Sequence, residues 1–276
     1  MSAWVLAVLA GLVQGVVEWL PVSSKTMITL IFAAGGFTLG TAYVMGLLAN
    51  FGSFFAALWF FRRDIGAALA GLRHPFSASE DARLLRYLVL ATFATGVVGV
   101  PIYALVKGAF SATTGAAAMV TIGVLLLLTS GVNWWRERLA RQRPPAASPV
   151  PGTGVSLVVG ACQGLAALPG VSRSAITVTP LLLLGYDVAA ALRLSFLLDV
   201  IGLLGAGVVP LVVGHAGLHS VARVGWGPVA VMVAVSAVTS FLTIAGVLRL
   251  ASRLRGSLVT LCIGVLTIAA ALLVPR

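Results

Sequence analysis

Charge is what this sequence has least of. Only 9% of its 276 residues are Asp, Glu, Lys or Arg, and just seven are acids. A soluble domain is about a quarter charged, so this chain has too few charges to cover a water-facing surface. That excludes a soluble enzyme and a charge-rich disordered chain together. Cysteine is nearly absent as well: Cys162 and Cys262 both sit in apolar runs, which excludes a disulfide scaffold and reads as two inert core thiols rather than a metal pair. Apolar sequence fills the space instead, with 60% hydrophobic residues and a mean hydropathy of +1.09. The chain reads as an all-α polytopic membrane protein. Its 31 Gly and 12 Pro, threaded through apolar runs, point to interrupted helices rather than a β-barrel.

A bilayer-crossing helix needs roughly 20 mostly apolar residues. Six stretches qualify: 38–61, 87–107, 114–133, 188–214, 226–250 and 256–274. Two others are broken. Residues 3–36 are interrupted at Pro21 and residues 153–186 at Pro169-Gly170, with polar residues around each break. Their second arms are too short to cross, so each is expected to be a re-entrant helical hairpin that enters the bilayer, turns and leaves on the same side. The first lacks a basic leader and is not expected to be cleaved. Gly11-x-x-Gln14-Gly15 returns as Gly160-x-x-Gln163-Gly164, 149 residues on, and Leu20-Pro21-Val22-Ser23 returns as Leu168-Pro169-Gly170-Val171-Ser172. The expected organisation is a hairpin plus three spans, twice: a first repeat at 1–143, a Pro-rich linker at 144–152 and a second repeat at 153–276. Three is odd, so the second copy enters upside down, an inverted-topology repeat.

The +11 net charge invites a nucleic-acid reading, but its distribution answers otherwise. Loops 62–86, 134–152 and 249–255 carry twelve arginines, whereas the opposite face has Lys107, Arg223 and Arg276. The arginine-rich face is therefore expected in the cytoplasm, with both termini and the mouth of the first hairpin outside, and no nucleic-acid partner.

Lys25, Arg173 and Arg193 remain among the cations, and Glu18 and Asp199 lie within apolar segments. Ionisable groups at membrane depth are functional candidates. Glu18 and Lys25 flank the first break, Arg173 sits at the second, and Asp199 lies in the span that follows; Gln14 shares a helix face with Glu18. Two tips meeting at the midplane would bring these together. A plainer reading stands beside this one: Glu18 with Lys25, and Arg173 with Asp199, as buried ion pairs that pin the hairpins, and the serines as helix N-caps. Against it, Ser23-Ser24-Lys25-Thr26 and Ser172-Arg173-Ser174 each place hydroxyls, a cation and free N–H groups where a half-helix begins. That is chemistry for a phosphate, and two such tips suit a lipid-linked diphosphate.

The runs Gln14-Gly15-Val16-Val17-Glu18-Trp19-Leu20-Pro21-Val22-Ser23-Ser24 and Leu168-Pro169-Gly170-Val171-Ser172-Arg173-Ser174 resemble the two signatures of the undecaprenyl-pyrophosphate phosphatase family, the bacitracin-resistance type. The resemblance runs the length of the chain. It implies six spans with two re-entrant hairpins in inverted repeats, and removal of the terminal phosphate from undecaprenyl pyrophosphate at the outer face of the plasma membrane, which recycles the carrier lipid for envelope glycan synthesis. It implies Ser24 as nucleophile with Ser23 beside it, Glu18 as a motif glutamate able to act as base, and Arg173 as the pyrophosphate holder. Ser172, Ser174 and Thr177 match other polar positions of the second signature. Lys25, Thr26, Gln14, Gln163 and Asp199 complete the expected binding set.

The sequence departs from that family pattern in several places. Gln14 replaces a motif glutamate, which weakens the case for Mg²⁺ or Ca²⁺, and Met27 stands where the family has a histidine often cast as base. Ala175-Ile176 replaces a Gly-Ala pair, and Arg193 a glutamate. Lys25 gives the first motif an archaeal look, so another polyprenyl diphosphate could be the substrate. Two other readings stay open: a polyprenyl-phosphate transporter or flippase, and a binding-only relative. A homodimer is left open too.

Overall fold

The computed structural model describes residues 1–20, 23–112, 148–168, 171, 173–186, 188–212 and 216–250, with isolated helical positions between 120 and 138 and at 261 and 265. Among the described residues every regular element is helical. Helix α1 (Ala3–Val17) and α2 (Ser24–Ala34) flank the Pro21 break. Proline has no N–H to give the preceding turn and disfavours a helical residue before it, so the apolar run 3–36 divides into two helices of 15 and 11 residues. Gly36 closes α2 with φ +91°, and the Phe37 N–H returns to the Phe32 carbonyl at 3.1 Å, a left-handed stop that glycine makes without strain.

Next come α3 (Leu39–Leu48) and α4 (Asn50–Phe60), which run on through Ala49 as one 22-residue span, then the short α5 (Arg62–Ala70) and the long α6 (Glu80–Ala112). The second broken run gives α7 (Thr153–Leu165) and α8 (Arg173–Leu183), followed by α9 (Val188–Val212), α10 (Ala216–Val224) and α11 (Trp226–Leu250). Among the described residues four helical stretches are long and apolar enough to cross a bilayer: Leu39–Phe60, Glu80–Val106, Ala190–Val212 and Trp226–Gly246. They coincide with four of the six expected spans. The other two, 114–133 and 256–274, fall largely outside the described residues.

Packing joins distant parts of the chain. Helix α1 lies along α11 and helix α7 along α6, and glycine makes both approaches possible. A Cβ at Gly11 would stand 2.7 Å from the Met232 carbonyl oxygen and one at Gly15 2.4 Å from Thr239 Cβ; at Gly160 it would stand 2.1 Å from the Ala91 carbonyl oxygen and at Gly164 2.6 Å from Val98 Cβ. Each helix thus presents a Gly-x-x-x-Gly face to a neighbour's backbone. In lipid, where apolar burial adds little, such close backbone contact is a main source of association.

One end of the bundle is ionic. Arg193, at the start of α9, pairs with Asp64 of α5, and Arg83 of α6 donates to the Ser148 hydroxyl at 3.1 Å. The starts of α6, α7 and α9 therefore gather beside the end of α4. Arg193, left without a place by the charge count along the sequence, belongs to this arginine-rich end.

Candidate active site

The residues flanking the two breaks meet inside the bundle. Ser24 opens α2 and Arg173 opens α8, so two helix N-termini, each with N–H groups lacking an intrahelical acceptor, face one cavity of about 280 Å³. Glu18, Ser23, Ser24, Lys25, Gln163, Arg173 and Ser174 all line it. Gly46 lets the first tip come close: a Cβ there would sit 2.7 Å from the Lys25 carbonyl oxygen.

A continuous polar network runs through the site. The Ser24 hydroxyl donates to Glu18 Oε2, Gln14 Nε2 donates to the same oxygen at 2.7 Å, and Arg173 Nη2 donates to Glu18 Oε1. The other side of the guanidinium faces Asp199, with Nε 2.9 Å from Oδ1. Glu18, Ser24 and Asp199 are all buried. One arginine thus holds two carboxylates from different helices, and a serine hydroxyl points at one of them.

The remaining expected site residues take different places. Lys25 reaches the opposite tip, where Nζ donates to the Ala166 carbonyl and lies 3.3 Å from that of Leu168. Ser174 reciprocates, donating to the Leu20 carbonyl at 3.0 Å. Ser23 and Thr26 pair their hydroxyls at 2.9 Å. Thr177 is fully buried one turn into α8, bonded to Ser195 at 2.6 Å; it does not line the cavity, and neither do Thr26, Gln14 and Asp199. Ser172 lies outside the described residues.

The structure adds residues that the sequence reading missed. Gln14 Nε2 also lies 3.3 Å from Asn50 Oδ1 and 3.1 Å from Ser53 Oγ, and Ser53 continues to Ser240 at 2.9 Å. These α4 and α11 side chains brace the amide that braces Glu18. A signal for Asn50 was present: it stands 149 residues before Asp199, the spacing that relates Gln14 to Gln163. Tyr43 and Tyr103 extend the cavity beyond the charged groups, together with Gly99, Gly205 and Val209, so an apolar mouth opens beside a polar floor.

The protein side chains by themselves offer a divalent cation few free oxygens. Hard cations take several oxygen ligands, chiefly carboxylates. Here Arg173 occupies both nearby carboxylates, Gln14 aims its NH₂ at Glu18, and no group of three or more His, Cys, Asp or Glu converges among the described residues.

Comparison with known proteins agrees with the motifs. The family model described as bacitracin resistance protein BacA matches residues 7–270. An undecaprenyl-diphosphatase of Saccharolobus islandicus is 35% identical over 260 residues, covering 91% of this chain and 89% of the relative. Proteins of the same name from Pyrobaculum aerophilum and Haloarcula marismortui are each 34% identical, the first covering 97% of both chains, the second 91% of this chain and 90% of its own. This multi-pass membrane protein belongs to the BacA family of bacitracin resistance proteins.

Proposed function

We propose that the chain is a membrane phosphatase that hydrolyses a polyprenyl diphosphate of the undecaprenyl type to the monophosphate, returning the carrier lipid to envelope glycan synthesis. The observation that carries this reading is the Ser24–Glu18–Arg173 constellation: a hydroxyl donating to a buried carboxylate, beside a guanidinium at a helix N-terminus. The relatives' shared name supports it. Arg173, with Lys25 and the N–H groups of α2 and α8, binds the diphosphate, since a planar guanidinium matches phosphate oxygens. The phosphate competes with Glu18 for Arg173 and thereby frees the carboxylate to take the Ser24 proton as Ser24 attacks the terminal phosphorus. The leaving group is the polyprenyl monophosphate, whose chain occupies the apolar mouth near Tyr43, Tyr103 and Val209. Ser23 and Ser174 supply further donors to the phosphates. With Met27 in place of a histidine, Glu18 is the base.

The same reading covers the architecture: two re-entrant hairpins and six spans in an inverted repeat, with 1–143 and 153–276 as halves joined by 144–152. The Gly11/Gly15 and Gly160/Gly164 contacts, which set each hairpin against a helix of the other half, support it. In this arrangement the arginine-rich end is cytoplasmic, the cavity opens outward and both termini lie outside. No step is routed through a divalent metal.

The test is phosphate release from a polyprenyl diphosphate by the purified protein in detergent micelles. Wild type is expected to release phosphate, and Ser24→Ala and Arg173→Ala to abolish release. Binding without release by the wild type would refute the enzyme and favour a carrier.

A further inference from the structure

Carbonyls at and past the last turn of a helix have no intrahelical donor, and at the end of α7 each finds one by a different route. Those of Gln163, Gly164 and Leu165 accept from the N–H groups of Ala166, Ala167 and Leu168, at 2.9, 3.1 and 3.1 Å. The next three accept from side chains that lie far earlier in the chain. Lys25 Nζ donates to the Ala166 carbonyl and lies 3.3 Å from that of Leu168, and the Tyr43 hydroxyl donates to the Ala167 carbonyl at 3.2 Å. The Leu168 carbonyl also meets the Val171 N–H, at a long 3.4 Å. The backbone of the second tip is thus completed by the first half of the chain.

Both donors stand on one support. Gly46 of α3 lies against the backbone of Lys25, where a Cβ would be 2.7 Å from the carbonyl oxygen and 3.2 Å from Cα, and the Thr29 hydroxyl donates to the same carbonyl at 2.6 Å. Tyr43 stands three residues before Gly46, on the same face of α3. The root of Lys25 is therefore pinned where its ammonium reaches the second tip. Beyond that tip, the Ser174 hydroxyl donates to the Leu20 carbonyl at 3.0 Å. The stretch from Leu168 to Ser174 is tied to the first hairpin at both ends, and Arg173, which holds Glu18, lies between the ties.

We infer that Lys25 is a positioning residue: together with Tyr43 it clasps the second tip to the first and so holds the Arg173 guanidinium beside Glu18 and Ser24. An ammonium has three N–H groups and no acceptor. Two are directed at the Ala166 and Leu168 carbonyls, which leaves one for a phosphate oxygen. The clasp therefore takes the larger share of what Lys25 can donate. Its charge suits the place too, since the end of α7 is the negative end of that helix and a lysine there meets its last carbonyls. The consequence for rate rests on the phosphatase reading, whereas the clasp itself does not. Phosphoryl transfer depends almost wholly on positioning and on charges aimed at the transferring group. A second tip released from the first would let Arg173 drift, which costs turnover more than it costs binding.

Two substitutions of similar length separate the clasp from the charge: Gln at position 25 has two N–H donors without charge, and Met has neither. Two readouts serve, both on the purified full chain in micelles: amide exchange over residues 163–168, followed by mass spectrometry, and phosphate release from a polyprenyl diphosphate. In Lys25→Met these amides are expected to exchange at least about tenfold faster than in wild type. Its kcat is expected to fall about a hundredfold, the cost of a misplaced reacting group, with KM changed by less than about tenfold. Lys25→Gln is expected to recover slow exchange and most of kcat. Tyr43→Phe removes one donor and keeps the ring; it is expected to move both readouts the same way to a smaller extent, and it carries the test should Lys25→Met fail to fold. Gln and Met variants that are equally slow, with KM raised and exchange unchanged, would make Lys25 a phosphate ligand and overturn the positioning role. A wild type that releases no phosphate, with exchange still in the expected order, would overturn the phosphatase and uphold the clasp.

Discussion

Glu18→Gln is the most informative single substitution at the site, because it changes charge and proton balance without changing shape. The carboxylate accepts on both oxygens, from Arg173 on one side and from Ser24 and Gln14 on the other. An amide has one oxygen. The stronger, charged donor Arg173 takes it, which turns the introduced NH₂ towards Ser24 and Gln14. Ser24 then changes from donor to acceptor, so its proton has no base to go to, and the Gln14 amide N–H faces another donor. An unmatched buried donor costs about 1–3 kcal/mol of stability. Loss of a positioned general base costs ~10²–10⁴ in rate, or roughly 3–5 kcal/mol of barrier. Arg173 keeps Asp199 and the introduced oxygen as partners, so substrate binding survives: kcat falls by that factor while KM moves by less than about tenfold on the same reasoning. Phosphate release measured over a range of substrate concentrations in micelles separates the two parameters. A kcat within threefold of wild type, on the scale of a lost base, would refute Glu18 as the proton acceptor and with it the reading of the Ser24 contact.

Three further outcomes are expected. Gly160→Ala forces a methyl to within 2.1 Å of the Ala91 carbonyl oxygen and should cost about 1–3 kcal/mol, whereas Gly96→Ala, with nothing within 4 Å, should leave stability unchanged or slightly raised; thermal unfolding in detergent compares them, and equal midpoints would refute the close packing of α6 on α7. Gln14→Glu sets a second carboxylate beside Glu18 and should make phosphate release respond to added Mg²⁺ or Ca²⁺ more steeply than wild type; superimposable metal titrations would count against it. Arg193→Ala removes a pair whose arginine is 64% exposed, so it should cost under about 1 kcal/mol; a larger loss would show that the ion pair itself ties α9 to α5.

The sequence made some of this legible because the signals are local. Proline breaks and long apolar runs marked α1 and α2, α7 and α8, and four spans. The four-residue spacing of Gln14 and Glu18 announced their contact. What it could not show was which distant charge meets which. Lys25 reads naturally as a partner for Glu18, seven residues away, but it donates to carbonyls at the second tip, while Arg173 holds both Glu18 and Asp199. The choice depends on how two tips 150 residues apart approach each other, and charge alone does not record that. Asn50, Ser53 and Ser240 escaped notice for a related reason: a lone amide or serine barely changes the hydropathy of a span, and its role is evident only once α4 and α11 are laid beside Gln14.

The docking of α1 on α11 has a consequence for how the protein is made. Helix α1 rests on residues 232–240, which leave the ribosome more than two hundred positions later. Until those are synthesised and inserted, Gly11 and Gly15 have no backbone to lie against, and the Ser24–Glu18 pair waits for Arg173 and Asp199 as well. Contacts so far apart in sequence form late and slowly, and exposed intermediates are the ones that go astray. Truncation anywhere before α11 should therefore leave the beginning of the chain, not only its end, without a folded partner.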